Sequence, residues 1–310
     1  MTRTTLHSIG AALLLLLSAC EEHLGPDRPG PPSLVKALAV EVGYAPNGVQ
    51  YGYLPTTPLG MGDPTSSTTW ALVRDLLAPG PMDPPVFPVV VLRLVFSELL
   101  DGDAVEIVDA SAGKFSLVDG AVTVTAMSPG ATAPTPVTML GHYDPSGTLL
   151  GAPPGPALVL RPAPALPTAS LISVTVSGSL VKDTTGKPMG ADRTITFQTL
   201  PLVMAQAIPA LDTGMPVNVS MGITLLFTSL LAAESVTPAA FSLTRADGTN
   251  VSFDVVAAAP LGFVVAPHLM ITGTVTAGEK LTLGVKQTIT DVHKLPLVLP
   301  VSQTFTVAGM

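Results

Sequence analysis

The chain has 310 residues with 14 basic and 22 acidic side chains, and its formal net charge of −8 argues against a nucleic-acid partner. Only 12% of its residues are charged, and 32 prolines and 28 glycines interrupt short apolar runs, so we expect a chain of globular domains. Its single cysteine excludes a disulfide framework within the chain.

An apolar run at residues 9–17 predicts a targeting segment. The run is shorter than the about 20 apolar residues that a membrane-spanning helix requires. It follows Arg3 and precedes small residues, which is the layout of a secretory signal peptide. Residues 17–20, Leu-Ser-Ala-Cys, resemble the lipobox of bacterial lipoproteins. The resemblance implies a lipoprotein signal peptide over residues 1–19; the alternative is a generic signal peptide followed by an incidental cysteine.

Cys20 is the predicted lipid attachment residue. The resemblance implies that its sulfur carries diacylglycerol and that the new amino terminus carries a fatty acid such as palmitate, which makes the membrane a partner through this anchor. Glu21 stands where an aspartate favours inner-membrane retention in familiar lipoproteins. We therefore expect an outer-membrane lipoprotein of a bacterial cell envelope, facing either the periplasm or the exterior. Residues 20–33 are rich in proline, glycine and charge, which predicts an extended tether.

Alternating strands dominate the rest of the chain. Residues 92–96 predict a half-buried strand on which Arg93 and Val95 share the face opposite the core, and residues 223–227 repeat its spacing. The two runs indicate that one pattern occurs twice.

Two further pairs of segments support this internal repeat. Residues 181–199 align without a gap on residues 289–307. Residues 114–126 are matched to residues 240–256 because both contain Phe-Ser-Leu and a glycine at the expected hairpin turn. Two copies are too few for a solenoid, so tandem sandwich domains fit the pattern better.

Short motifs in both halves resemble bacterial Ig-like domains of the S-layer-protein type. In the first half they are Phe-Ser-Glu at 96–98, Asp-Thr-Thr-Gly at 183–186 and Thr-Phe-Gln-Thr at 196–199. The second half departs from the pattern, since residues 227–229 lack the glutamate and residues 291–294 lack the glycine, so that turn is expected to take another conformation. The resemblance covers most of residues 86–310. It implies an all-β fold of two tandem Ig-like β-sandwich domains, and it implies no reaction.

The predicted first domain, residues 34–200, is longer than the second, residues 201–310, and longer than a usual sandwich domain of about 100 residues. Loop insertions near 44–88 and 128–156 account for the excess, since both are rich in proline and glycine. Within the first insertion, residues 66–80 combine hydroxyl caps, helix-compatible residues and a Pro-Gly stop, which predicts one short helix.

Two groups of residues are candidates for binding. Tyr51, Tyr53 and Trp70 lie in the first insertion, where they form either a contact surface for glycan or peptide or a layer that packs the insertion onto the sandwich. Asp101 and Asp103 belong to the densest acidic cluster and are weak candidates for a hard cation. Their spacing departs from that of an EF-hand, so we expect no metal and no cofactor.

No fragment of the sequence supports catalysis. Asp-Thr-Gly at 212–214 matches aspartic proteases, but that mechanism needs two such carboxylates and the chain has no second copy. The expected function is therefore a non-enzymatic, lipid-anchored envelope protein that serves as a spacer, adhesion or assembly module, with an envelope protein or glycan as partner. The alternatives are a surface lipoprotein that binds glycan or peptide through the first insertion, and an enzyme with a non-contiguous site.

Overall fold

The structure is a computed structural model that describes residues 30–44, 57–58, 69–78, 85–109, 114–145, 155–257 and 266–309. Its strands form two β-sandwiches with separate hydrophobic cores, which confirms the predicted all-β sandwich fold. Within these ranges the α-helix is the four-residue α1 (Gly102–Val105). No helix in the described part of the chain has the length and apolar character needed to cross a membrane.

The first sandwich contains the strands up to residue 198. They are β1 (Leu34–Tyr44), β2 (Thr57–Pro58), β3 (Thr69–Asp75), β4 (Val90–Phe96), β5 (Glu106–Asp109), β6 (Lys114–Leu117), β7 (Val122–Met127), β8 (Thr135–Pro136), β9 (Met139–Asp144), β10 (Ala157–Pro162), β11 (Leu171–Val176) and β12 (Arg193–Gln198). A six-stranded sheet, β2-β3-β1-β4-β10-β9, packs on a four-stranded sheet, β12-β11-β7-β8, and β5 pairs with β6. Alternate side chains such as Leu92, Leu94, Ile172 and Val174 meet between the sheets with at most 1% exposure.

The second sandwich contains the strands from residue 204 onward. They are β13 (Met204–Ile208), β14 (Ile223–Phe227), β15 (Phe241–Arg245), β16 (Phe253–Ala257), β17 (Pro267–Ile271), β18 (Lys280–Val285) and β19 (Val301–Thr306). A four-stranded sheet, β13-β14-β17-β16, faces a three-stranded sheet, β15-β18-β19. Short 3₁₀ turns at Ala233–Ser235 and Pro238–Ala240 precede β15.

The two sandwiches repeat each other in pairing as well as in pattern. β1 pairs with β4 as β13 pairs with β14, and each pair contains an irregularity after its first residue. Val86 bridges Thr199 in parallel orientation, as Val217 bridges Val307. The corresponding segments therefore hold corresponding places in the two cores.

The strand of the first sandwich that corresponds to β15 of the second is not the one that the sequence predicts. β15 contains Phe-Ser-Leu at 241–243 and pairs with β18, as β7 pairs with β11, so residues 122–127 are its counterpart. The similar Phe-Ser-Leu at 115–117 lies in β6, whose partner is β5. The predicted match of residues 114–126 to residues 240–256 is therefore wrong, because a strand's place is decided by its hydrogen-bonding partner and not by a three-residue likeness.

The helix predicted within residues 66–80 is a strand. Residues 69–75 form β3, which pairs with β1 from Tyr44 opposite Thr69 to Leu38 opposite Asp75. Its threonine, tryptophan and valine favour an extended backbone, and a complete ladder of hydrogen bonds outweighs a helix cap. The two predicted loop insertions thus carry strands, β2 and β3 in the first and β8 and β9 in the second.

β4 is buried on both faces, whereas its alternation predicts a half-buried strand. Arg93 and Val95, on the face opposite the main core, are 1% and 3% exposed. The guanidinium of Arg93 donates to Asp144 Oδ2 at 3.1 Å and to the carbonyl of Gly155 at 3.2 Å. These contacts reduce the cost of burying the charge, although no group among the described residues accepts a hydrogen bond from Arg93 Nε.

Candidate functional site

A tight turn capped by an aspartate follows β11 in the first sandwich. Asp183 Oδ1 accepts the N–H groups of Thr185 at 2.8 Å and of Lys187 at 2.9 Å, and the hydroxyl of Thr185 at 2.7 Å. Burial raises the pKa of Asp183, but the hydrogen bonds from Thr185 and Lys187 outweigh burial and hold that pKa below its ordinary value. Gly186 supplies the φ of 82° that the turn requires.

The second sandwich builds the same turn after β18. Asp291 Oδ1 accepts the N–H groups of His293 at 2.8 Å and Leu295 at 2.9 Å. Lys294 has a φ of 68° where Gly186 has 82°, so the expectation of another conformation is wrong. The capping aspartate holds the backbone in the left-handed region although a side chain there costs about 1–2 kcal/mol. We call residues 183–187 and 291–295 the aspartate turns.

The second aspartate turn is also the place where the two sandwiches meet. Asp291 Oδ2 accepts both the N–H of Thr168, at 3.0 Å, and its hydroxyl, at 2.8 Å. Asp291 is 0% exposed and Thr168 is 1% exposed. His293 Nε2 lies 2.8 Å from the carbonyl oxygen of Ala165 and donates to it, because a carbonyl oxygen only accepts. We call these contacts the joint.

Thr168 is held in position by a turn that immediately precedes β11. Thr199 Oγ1 donates to the carbonyl of Pro167 at 2.6 Å and accepts the N–H of Ser170 at 2.9 Å. Ala169 takes a φ of 51°, which is unusual for a residue with a Cβ. We call residues 167–170 the base turn of the first sandwich.

The second sandwich has a corresponding base turn, residues 276–279, immediately before β18. Gly278 holds the positive φ, at 80°, and Ala277 stands where the first base turn has its threonine. The carboxylate of Glu279 accepts the N–H of Thr276 at 2.9 Å and Nε of Arg245 at 2.6 Å. The N–H of Thr276, assisted by the guanidinium of Arg245, holds the pKa of Glu279 below its ordinary value against the opposing effect of burial.

The joint connects unlike ends of the two sandwiches. In each sandwich the base turn lies before one central strand and the aspartate turn lies beyond its other end. The base of the first sandwich therefore meets the aspartate turn of the second, which is a head-to-tail arrangement. The first aspartate turn, residues 183–187, and the second base turn, residues 276–279, lie away from this contact.

The predicted lipid-attachment and aromatic residues are placed only in part. Cys20, Tyr51 and Tyr53 lie outside the described residues, so their roles stay predictions. Trp70 lies in β3, where its backbone pairs with Gly43 and Pro58. A ligand-binding role for the aromatic group likewise stays a prediction.

Of the acidic candidates, Asp101 immediately precedes α1 and Asp103 lies within it. The N–H of Asp101 donates to the carbonyl of Lys182 at 2.9 Å, its side chain makes no capping bond, and Asp103 is exposed. Among the residues that the structure describes, no three or more histidine, cysteine, aspartate or glutamate side chains are grouped to hold a metal. The joint was missed at the sequence level. Its sole signal was the alignment of Asp183 with Asp291, which does not indicate a contact with Thr168.

Comparisons with known proteins assign neither a family nor a function to this chain. No protein-family model matches the chain, and no curated protein matches it. Among solved structures, the N-terminal part of the bacterial S-layer protein SbsC is similar over 71% of this chain and 41% of that chain, at 12% identity and a TM-score of 0.24. This chain thus spans less than half of that structure, and a likeness at that score supports no conclusion about function.

Proposed function

We propose that the chain is a lipid-anchored protein of a bacterial cell envelope and acts as a non-enzymatic spacer, adhesion or assembly module. The observation that carries the proposal is the joint between Thr168 and Asp291, which supports a fixed relation between the two sandwiches. A spacer needs such a relation because a freely hinged pair of domains does not define a distance.

The energetics of the joint favour one orientation. Each hydrogen bond to a charged acceptor contributes about 1.5–3 kcal/mol, and Asp291 receives two from Thr168. Swinging the sandwiches apart would remove both donors from a carboxylate that is fully buried. Bending at this point therefore either leaves a buried acceptor without donors or exchanges two hydrogen bonds to the protein for bonds to water, and the first of these is costly.

The lipid anchor in this proposal is supported by the sequence motif alone. Leu-Ser-Ala-Cys at residues 17–20 resembles a lipobox, and Cys20 has no second cysteine with which to pair. Acylation at more than one position would hold the chain at a membrane more firmly than a single fatty acid does.

The anchor is tested by fractionation of a Cys20→Ala variant. We expect the unmodified chain to sediment with membranes and to incorporate labelled palmitate, and the variant to lose both properties. A variant that stays membrane-bound and still incorporates palmitate would refute the lipid anchor. A Ser18→Ala variant is the matched control, because it keeps both a small residue and the cysteine.

The spacer is tested by a distance measurement between the far ends of the sandwiches. In the Cys20→Ala background, spin labels at Thr184 and Ala277, both exposed, report the separation of the two turns that lie away from the joint. We expect a narrow distance distribution that broadens when Asp291→Asn replaces one acceptor oxygen by a donor. A control pair at Thr184 and Thr196, within the first sandwich, should not broaden.

The outcomes separate the parts of the proposal. A broad distribution in the chain with Asp291 intact would contradict a fixed spacing whether or not the lipid anchor is present. Reproducible turnover of a generic ester, peptide or glycoside substrate would contradict the non-enzymatic role.

A further inference from the structure

We propose that the aspartate turn of the first sandwich, residues 183–187, is a docking site for the base turn of a second copy of this chain, residues 276–279, so that copies associate head to tail. The contact would repeat between molecules the joint that the chain already makes within itself.

The first aspartate turn has an unused acceptor. Oδ1 of Asp183 receives all of the hydrogen bonds that its turn provides, and among the described residues no group donates to Oδ2. In the second sandwich the corresponding oxygen, Oδ2 of Asp291, is filled by Thr168. Asp183 is 3% exposed and Asp291 0%, and Asp183 lies at the end of β11 away from the joint.

The base turn of the second sandwich shares its place before the central strand and its positive φ with the turn that fills Asp291. Gly278, with a φ of 80°, takes the place of Ala169, with a φ of 51°. Ala277 takes the place of Thr168, and within the described part of the chain its N–H donates to no acceptor. The backbone donor of the joint is therefore present and free, while the hydroxyl donor is missing.

The hydrogen bond that braces each base turn is also repeated. The N–H of Val307 donates to the carbonyl of Glu279 at 2.8 Å, as the N–H of Thr199 donates to that of Ser170 at 3.0 Å. A second bracing bond differs, since the N–H of Gly278 donates to the carbonyl of Val307 whereas the N–H of Ala169 donates to that of Leu200. The N–H of Glu279 closes the second base turn on the carbonyl of Thr276 at 3.1 Å, so this turn is already ordered before docking.

Apolar side chains stand exposed beside both turns. Leu99 and Leu180, next to the first aspartate turn, are 50% and 37% exposed. Met215 and Met221 are 70% and 84% exposed and flank Val217, whose bridge partner Val307 accepts the N–H of Gly278 in the second base turn. Leu230, the counterpart of Leu99, is less exposed at the joint. Contact between the two ends would cover apolar surface on both partners, and methionine adapts readily to such contacts.

The two docking surfaces differ from each other, so the contact does not close on itself by a twofold axis. A docked pair keeps one free aspartate turn on one chain and one free base turn on the other, which permits a row of molecules. Association does not depend on lipid at Cys20, and its failure would leave the proposed spacer function untouched.

The experiment is sedimentation equilibrium of the full chain in one mild detergent over a range of concentrations. We expect the average mass of the chain to rise with concentration. Ala277→Thr restores the missing hydroxyl and should tighten association about tenfold or more, since a hydrogen bond to a charged group is worth at least that factor. Ala277→Val adds the same bulk without a hydroxyl and should not tighten it.

A second variant identifies the acceptor. Asp183→Asn keeps an oxygen for the turn but presents an amide N–H₂ to the docking partner, so it should abolish the tightening by Ala277→Thr. An average mass that does not rise with concentration overturns the proposal. So does a gain from Ala277→Thr that Ala277→Val reproduces or that survives Asp183→Asn.

Discussion

Removal of one hydroxyl at the joint gives the sharpest test of how the two sandwiches are held. Thr168→Val keeps the shape of a side chain that is 1% exposed and deletes the donor that lies 2.8 Å from Asp291 Oδ2. The N–H of residue 168 remains to donate at 3.0 Å. The perturbation is therefore confined to one hydrogen bond between the sandwiches.

The expected loss of stability follows from the charge and burial of the acceptor. A hydrogen bond to an ionised group contributes about 1.5–3 kcal/mol, and no water replaces the hydroxyl where both residues are closed to solvent. We expect Thr168→Val to lower the free energy of unfolding by about 2 kcal/mol. Thr185→Val, which deletes a hydroxyl donor to Asp183 at an exposed position, is the matched control and should cost less.

The assay can separate coupling between the sandwiches from damage within one of them. The chain has a single tryptophan, Trp70, whose backbone belongs to β3, so a change in tryptophan fluorescence in urea is assigned to the first sandwich. Asp291→Asn lies in the second sandwich, yet it should shift the Trp70 transition because it weakens the joint. Together, Thr168→Val and Asp291→Asn form a double-mutant cycle in which contacting residues show a coupling energy of about 0.5–3 kcal/mol.

The reasoning would be refuted by a coupling energy indistinguishable from zero. It would also be refuted if Asp291→Asn left the fluorescence transition unchanged while far-ultraviolet circular dichroism showed that the second sandwich had been destabilised. Either result would mean that the sandwiches unfold independently and that the joint holds no orientation.

Further predictions concern single residues. Lys294→Gly should raise the midpoint of thermal unfolding, because relief of about 1–2 kcal/mol of left-handed strain exceeds the entropy that glycine adds to the unfolded chain. Gly186→Lys should lower the midpoint for the opposite reason. Equal shifts of the same sign in the two variants would contradict the shared turn geometry. Because the pKa of Glu279 lies below its ordinary value, its stabilisation is complete above the ordinary pKa and is lost as pH falls through the lowered one. The urea midpoint should fall on acidification, and the fall should be smaller in Glu279→Gln; an unchanged pH profile would show that the carboxylate does not matter. Arg93→Ala should destabilise the first sandwich by about 3–5 kcal/mol, as loss of a buried ion-pair partner does, and a Trp70 transition within experimental error of the original would exclude that role for Arg93.

The repeat and the sandwich class could be predicted because they depend on local periodicity. Alternation in residues 92–96 and 223–227 places apolar side chains on one face of a strand wherever the strand goes. The matching positions of Asp183 and Asp291 before the strands that follow them could also be predicted, because each aspartate caps a turn formed by its own neighbours in the sequence. These features are set by neighbours in the sequence.

The missed features depend on partners far along the chain. β3 is a strand because β1 lies beside it, and the burial of Arg93 depends on Asp144, which is distant in sequence. The joint brings Thr168 to Asp291 across 123 residues, and no periodicity records that contact. The positive φ of Lys294 cannot be read from a turn without glycine, because the aspartate cap imposes that conformation.

Burial of the joint makes the arrangement of the two sandwiches insensitive to ionic strength. Dissolved ions weaken attractions between charges that water reaches, such as the exposed pair of Lys294 and Glu234 beside the joint. The bonds between Thr168 and Asp291 are closed to water and are screened far less. The angle between the sandwiches should therefore be the same at low and at high salt concentration.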